Sequence, residues 1–312
     1  MMLSAVMIAL GFLIFSGADD PVPADPVFSI SVNGISLKPH MMAFNASPGE
    51  TVTLSFSDSL AWSVPALSLN GTGTEFQFTL PRTHGIFTVT ASNSISVQEW
   101  MAIVPVNEAQ MRTSSLNSFP VGFYGDGNSR DNIPGAGFIE LWPNTFNARV
   151  STHMSFSDFL GHTEGDWPQY MVLDLRLVHK LECVLEEISE FYPEARGIHC
   201  ISGFRTPVYN ASIGNETGYS LHLYGAAADI WIEGWPENDL IDDLDRNKRI
   251  DVYDAEFIVE ASRRLEASGE VAVGGASAYR WIPSHGPFAH LDTRGSAAVW
   301  QTQRNLVENP VI

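Results

Sequence analysis

Apolar residues change their spacing once along this chain, and that change limits the architectures open to it. From residue 27 to 106, apolar and polar positions alternate in short runs at Val27–Asn33, Glu50–Phe56, Glu75–Leu80, Ile86–Ala91 and Ile95–Val106, with turn residues such as Ser47-Pro48-Gly49 and Asn70-Gly71 between them. Alternation sends successive side chains to opposite faces of a strand, so these runs predict a small all-β sandwich over 27–106. Trp62 and Trp100 are expected to pack within it. Between 171 and 191 the spacing is helical, with Leu173, Leu177, Val178, Leu181, Val184, Leu185 and Ile188 on one stripe. His179 and the glutamates at 182, 186, 187 and 190 fall mostly off the stripe and are expected on its solvated side. A glycine-, serine- and asparagine-rich stretch, 107–136, reads as a linker into a C-terminal α+β domain over 137–308, entered by the strand-like Gly137–Leu141.

The pattern of the first domain resembles an immunoglobulin-like sandwich. The chain has 312 residues and 45% hydrophobic content, enough for two domains with substantial cores. Its 36 acidic against 17 basic residues give a formal charge of -19, which argues against nucleic acid and anionic membrane surfaces as partners. Residues 2–16 are uncharged and mostly apolar and precede Gly17-Ala18-Asp19-Asp20, so 1–18 is expected to be a signal peptide, followed by a proline and aspartate spacer at 19–26. A periplasmic or secreted monomer is expected. Of the two cysteines, Cys183 falls in the predicted helix and Cys200 just before a strand. An exported protein can join such a pair if their Cα atoms lie within ~7 Å; two free buried thiols are the alternative.

Chemistry concentrates in the C-terminal half. His222 and Asp229 lie in Ser220-Leu221-His222-Leu223-Tyr224-Gly225-Ala226-Ala227-Ala228-Asp229-Ile230, and His290 in Gly286-Pro287-Phe288-Ala289-His290-Leu291-Asp292. Two imidazoles and a carboxylate form a ligand set that holds a catalytic zinc with a position left open. Ala226–Ile232 reads as a buried strand entered through a turn at Gly225, and Phe288–Asp292 as a second strand that puts His290 and Asp292 on one face. Upstream, Ile201-Ser202-Gly203-Phe204-Arg205-Thr206-Pro207 presents one arginine, whose planar fork suits a carboxylate or a developing oxyanion.

These three motifs, in this order and spacing, resemble the zinc D-Ala-D-Ala peptidases, a family of D,D-carboxypeptidases, D,D-dipeptidases and murein endopeptidases. Its metal-site fold is shared with lysostaphin-type enzymes and the hedgehog domain. The resemblance covers roughly residues 120–305. It implies zinc on His222, Asp229 and His290, Arg205 near the scissile carbonyl, Ser220 as a substrate or supporting contact, and peptidoglycan as partner and substrate. The chain departs from the pattern where many relatives carry an acidic base three residues before the last histidine, because Pro287 stands there. His285 and Asp292 are the remaining candidates: His285 for transition-state stabilisation or proton transfer, Asp292 as orienter of His290 or as base. The alternatives are an Asp292 that pairs with Arg294, and a non-catalytic zinc and calcium wall-binding module.

A second metal motif occupies 243–254. Asp243, Asp245, Asn247, Asp251 and Asp254 supply side-chain oxygens at loop positions 1, 3, 5, 9 and 12, and Arg249 supplies a backbone carbonyl at position 7, as in an EF-hand-type or dockerin-like calcium loop. Lys248 replaces the usual glycine at position 6, and Asp254 the usual glutamate at position 12. The alternative is an acidic turn capping a helix from Val252 to Ala267 through Asp251 or Asp254.

Overall fold

The alternating runs between Ile30 and Val104 pair into one sheet. In the computed structural model the described residues are 28–106, 115–122, 124, 137–160, 166–215, 219–234, 238–281 and 285–300. The expected signal peptide, the spacer, most of the linker and residues 301–308 lie outside them. The chain is mostly β with few helices. Strands β1 (Ile30–Val32), β2 (Ile35–Ser36), β3 (Ala43–Asn45), β4 (Thr51–Val64), β5 (Leu69–Thr79), β6 (Gly85–Ser92) and β7 (Val97–Val104) form a seven-stranded sheet in the order β2-β1-β4-β6-β7-β3, with β5 on β4. The sheet is mixed, because β3 runs parallel to β7.

This sheet is hydrogen-bonded continuously rather than split in two, and β4 shows why. Between Ser55 and Leu60 its pairing with β5 shifts register. Its first half then pairs with β1, at Ile30 opposite Phe56, and its second half with β6, at Ala61 opposite Ser92. A bulge bends a strand and increases its twist, so one long strand serves two sides of a sheet curled round its own core. Fully buried Trp100 sits in that core with Val52, Leu54, Leu60, Val64 and Val89. Trp62 stacks on Phe76 with ring centroids 3.9 Å apart.

β7 is apolar on both faces, and its near-continuous run Trp100-Met101-Ala102-Ile103-Val104 follows from that. Trp100, Ala102 and Val104 face the first core, whereas Met101 and Ile103 join Met41, Ala43 and Val106 in a second core with Phe138, Phe156 and Phe159. Residues 115–122, read as linker from their composition, carry short strands β8 (Ser115–Leu116) and β9 (Phe119–Pro120) and bury Phe119 and Val121 in this second core. The amide of Val106 also donates to the carbonyl of Phe138 at 2.7 Å. The N-terminal sheet and the C-terminal region thus share apolar packing.

β10 (Ile139–Leu141) pairs with β11 (Gln169–Met171), and the short helix α1 (Phe156–Phe159) lies between them in sequence. Helix α2 (Leu175–Phe191) starts at Asp174, whose side chain accepts from the amide of Arg176. Beyond it come β12 (Ala195–Ser202), α3 (Pro207–Ser212), β13 (Ala227–Gly234), α4 (Val252–Ser268), β14 (Gly275–Tyr279), β15 (Phe288–Asp292) and β16 (Ala298–Val299). The five strands form a sheet in the order β12-β13-β15-β14-β16, antiparallel except for β14 and β16. Ala228, Ile230, Ile232, Ala289 and Leu291 point to one face and share a core with Leu177, Val178 and Leu181 of α2 and Ile258 and Ala261 of α4. Each such aliphatic side chain stabilises the fold by roughly 1.5–3 kcal/mol relative to exposure. The alternate positions, Asp229 and His290 among them, face the other way.

Helix α2 corrects one expectation. Glu186 and Glu190 are exposed, but Glu182 is buried, its carboxylate accepting from the His153 amide at 2.8 Å and lying 2.7 Å from the His153 ring. Lys180 is buried too, donating to Glu266 at 2.6 Å and to the carbonyl of Asp292 at 2.9 Å. Tertiary partners admit these charges to the interior, and helical spacing does not reveal them. Both cysteines are free, and burial pushes the Cys183 thiol up to about 12.

Phe138→Ala should cost about 3–5 kcal/mol and leave a single denaturant transition, with near-ultraviolet circular dichroism and tryptophan fluorescence losing signal together. Two separated transitions in the parent chain would show that the second core does not couple the two sheets.

Candidate metal centre

Three elements bring His222, Asp229 and His290 together. His222 sits in a 3-10 turn, Leu221–Tyr224, with Ser220 before it and Gly225 after it. Gly225 has φ +59°, and a Cβ there would stand 1.9 Å from the carbonyl oxygen of Val172, so only glycine closes this turn onto β13. Asp229 on β13 lies directly opposite His290 on β15, with Ser202 of β12 and Ser277 of β14 in the same cross-strand row. Opposed residues in adjacent strands share a face, so the sheet register itself sets the carboxylate beside the imidazole.

The three side chains are buried, and their ligand atoms all lie within 4.8 Å of one another. Asp229 Oδ1 is 2.8 Å from His290 Nδ1 and 3.5 Å from His222 Nε2. Ligand atoms of a tetrahedral zinc stand roughly 3.3 Å apart, and these separations straddle that value. His222 Nδ1 lies 2.7 Å from the carbonyl oxygen of Gly203. A carbonyl only accepts, so Nδ1 carries the proton and Nε2 turns a lone pair toward the carboxylate. An imidazole lone pair and a carboxylate oxygen turned toward one another are donors of the kind a metal ion takes.

Burial keeps His222 neutral by pulling its pKa down. Burial alone would raise Asp229, but His222 and His290 outweigh it and hold the carboxylate far below its usual range. His290 is raised despite burial, because Asp229 and Asp292 both favour its charged form. Asp229 Oδ2 is held at 2.5 Å by Arg205 Nη2, and Arg205 Nε donates to Ser202 at 2.7 Å. The arginine therefore aims Oδ1 at the imidazoles. The donor set and spacing fit a zinc ion on His222, Asp229 and His290.

Asp292 stands behind His290, its Oδ2 3.5 Å from Nε2, a ring nitrogen with no hydrogen-bond partner. It is fully buried, accepts from Arg294 Nε at 2.9 Å and from the amide of Gly275 at 2.6 Å, and is held low by these donors against the effect of burial. A Cβ at Gly275 would meet Asp292 at 2.5 Å, so the glycine makes room for the carboxylate. This placement suits an orienter of His290 and joins it to the Arg294 pairing foreseen as the alternative. It does not suit a base, because the carboxylate is walled off from solvent.

The trio opens into a cavity of about 460 Å³ lined also by Arg205, Ser220, Tyr219, Tyr279, Phe288, Arg294 and Trp300. His285 does not line it; its ring packs edge-on against Phe288, 4.7 Å away. Trp300 and Tyr279 are site residues that sequence reasoning missed. Their only sequence signal is that Tyr279 ends an alternating run; Trp300 arrives because β16 returns beside β14.

The loop 243–254 gathers Asp243, Asp245 and Asp254 within 4.8 Å. Lys248, standing at the glycine position, takes the left-handed conformation at φ +69° and donates its amide to Asp243 Oδ2 at 2.7 Å. Asp243 Oδ1 is buried with no partner. Asp254 is fully buried and pushed up to about 7, first by burial and then by the charges of Asp245 and Asp251. Asp251 caps α4 through the Tyr253 amide, with Asp254 completing a capping box, so the capping alternative is realised in the same residues. Asn247 is occupied with Asp245 at 2.8 Å.

Asp292→Asn should weaken zinc binding roughly 10–100-fold, measured by competition with a chromogenic chelator; unchanged affinity would remove its orienting role. No protein-family model, no curated protein and no solved structure matches this chain.

Proposed function

We propose that this chain is a zinc-dependent peptidase that cleaves stem peptides or cross-links of peptidoglycan next to D-amino acids. The buried convergence of His222, Asp229 and His290 on the floor of an open cavity carries the reading. The resemblance of the three motifs supplies the substrate class. The finer fold reading, an immunoglobulin-like domain followed by a D-Ala-D-Ala peptidase-like domain outside the cytoplasm, belongs to the same proposal.

When bound, zinc supplies the Lewis acidity that activates water and polarises a carbonyl. The chain's own residues do the rest. Arg205 fixes Asp229 and lines the cavity where a scissile carbonyl or substrate carboxylate would lie. Ser220 lines the same wall beside His222. Asp292, Arg294 and the Gly275 amide lock the ring of His290 from behind.

A second reading, a non-catalytic zinc and calcium wall-binding module, is favoured by one observation: among the described lining residues Asp229 is the only carboxylate. The full chain loaded with zinc should release terminal alanine or convert dimeric muropeptides to monomers by mass spectrometry, and lose this with chelator or His222→Ala. Binding to peptidoglycan without any product would favour the module.

We also propose a structural calcium ion on Asp243, Asp245 and Asp254, supported by the partnerless Asp243 oxygen and the buried carboxylate at 254. Calcium at a hundredfold its Kd should stabilise the chain by about 2.7 kcal/mol, visible as a higher Tm that Asp243→Asn abolishes. A Tm indifferent to calcium would leave the loop as a helix cap.

A further inference from the structure

The cavity holds a hydrogen-bond donor that is oriented from behind. Tyr279, at the end of β14, faces Phe288 across the strand pair with ring centroids 4.7 Å apart and planes within 4°. Two residues earlier on the same strand, Ser277 lies opposite His290, so Tyr279 shares the face that carries the metal trio. Trp300 closes the triangle. Its ring lies 5.2 Å from that of His290, and its Nε1 donates to the Tyr279 hydroxyl oxygen at 2.9 Å. Arg294 holds Trp300 in place, its guanidinium 4.9 Å from the indole centroid while its Nε binds Asp292.

An indole N–H only donates. The Tyr279 oxygen therefore spends a lone pair on Trp300, which leaves its own proton for an acceptor other than the indole, and Tyr279 lines the cavity. Arg205 is tied to Asp229 and Ser202, Asp292 is walled in, His285 stands off the lining, and Tyr219 is 55% exposed at the rim.

Resting on the peptidase reading above, we infer that Tyr279 is a catalytic residue that donates a hydrogen bond to the oxyanion developing on the scissile carbonyl, and that Trp300 is the positioning residue that aims it. In the hydrolysis, the water oxygen bonds to the carbonyl carbon, the C–N bond breaks, and both water protons end on the departing amine as ammonium beside a new carboxylate. Tyr279 keeps its proton throughout. Its contribution is greatest when negative charge gathers on the carbonyl oxygen, so it lowers the barrier without tightening ground-state binding.

The test uses the zinc-loaded full chain with a muramyl pentapeptide ending in D-Ala-D-Ala and, for calorimetry, a phosphinate isostere of its terminal unit and the cleaved tetrapeptide. Tyr279→Phe should lower kcat roughly 10²–10³-fold with KM and zinc content unchanged, and weaken phosphinate binding by a similar factor while tetrapeptide binding holds. Trp300→Phe, which keeps the hydroxyl and loses its orienting donor, should lower kcat about tenfold with KM unchanged, and it decides the matter if Tyr279→Phe fails to fold. A wild-type chain that cleaves, with Tyr279→Phe retaining kcat and phosphinate affinity, would overturn the role of Tyr279 and leave the peptidase reading standing. A zinc-loaded wild type that cleaves nothing would overturn both.

Discussion

A carboxylate buried among two imidazoles and a guanidinium is the interaction on which the C-terminal half of this structure depends. Removing an ionised Asp229 from water costs several kcal/mol unless opposite charge and hydrogen bonds replace the lost hydration. Arg205 answers one oxygen and His290 the other, while His222 presents a lone pair to the second. In the function proposed above, a cation among the nitrogens would complete this arrangement as a ligand set.

That arrangement has to be held rigidly, and the fold does so in layers. The register of β12, β13, β15 and β14 aligns Ser202, Asp229, His290 and Ser277 in one row. On the opposite face, alanines and branched aliphatics pack against α2 and α4. Between helix and sheet edge, buried Lys180 joins Glu266 to the carbonyl of Asp292, and Glu266 also accepts from the amide of Gly274. A polar network of this kind leaves little room for the end of β15 to shift, because each broken bond would strand a buried charge. The N-terminal sheet adds to this rigidity, since Met101 and Ile103 pack into the core that also carries α2.

The proposed chemistry turns on the site lacking an acidic group at Pro287. Among the described residues of the cavity, Arg205 near the trio and Tyr279 braced by Trp300 are donors suited to an oxyanion. Asp292, though close in sequence to His290, has its charge absorbed by Arg294 and the Gly275 amide. Proximity along a strand told which residue touches His290, and burial decided what it can do there.

The sequence alone determined several of the strands and helices, because spacing of apolar residues is local: β15 runs over Phe288–Asp292 as read, and α4 begins after Asp251 where the capping pattern placed it. It also named His222, Asp229 and His290 as companions, since their residue types and flanking turns restrict how they meet. Only the tertiary structure decided that Glu182 and Lys180 are interior, that the first sheet curls through one bulged strand, and that residues 115–122 belong to a core. It alone brought Trp300 over His290 and moved His285 off the cavity. The reason is physical: those features depend on partners distant in the chain, and a residue's own pattern carries no record of which buried charge, strand or ring will arrive beside it.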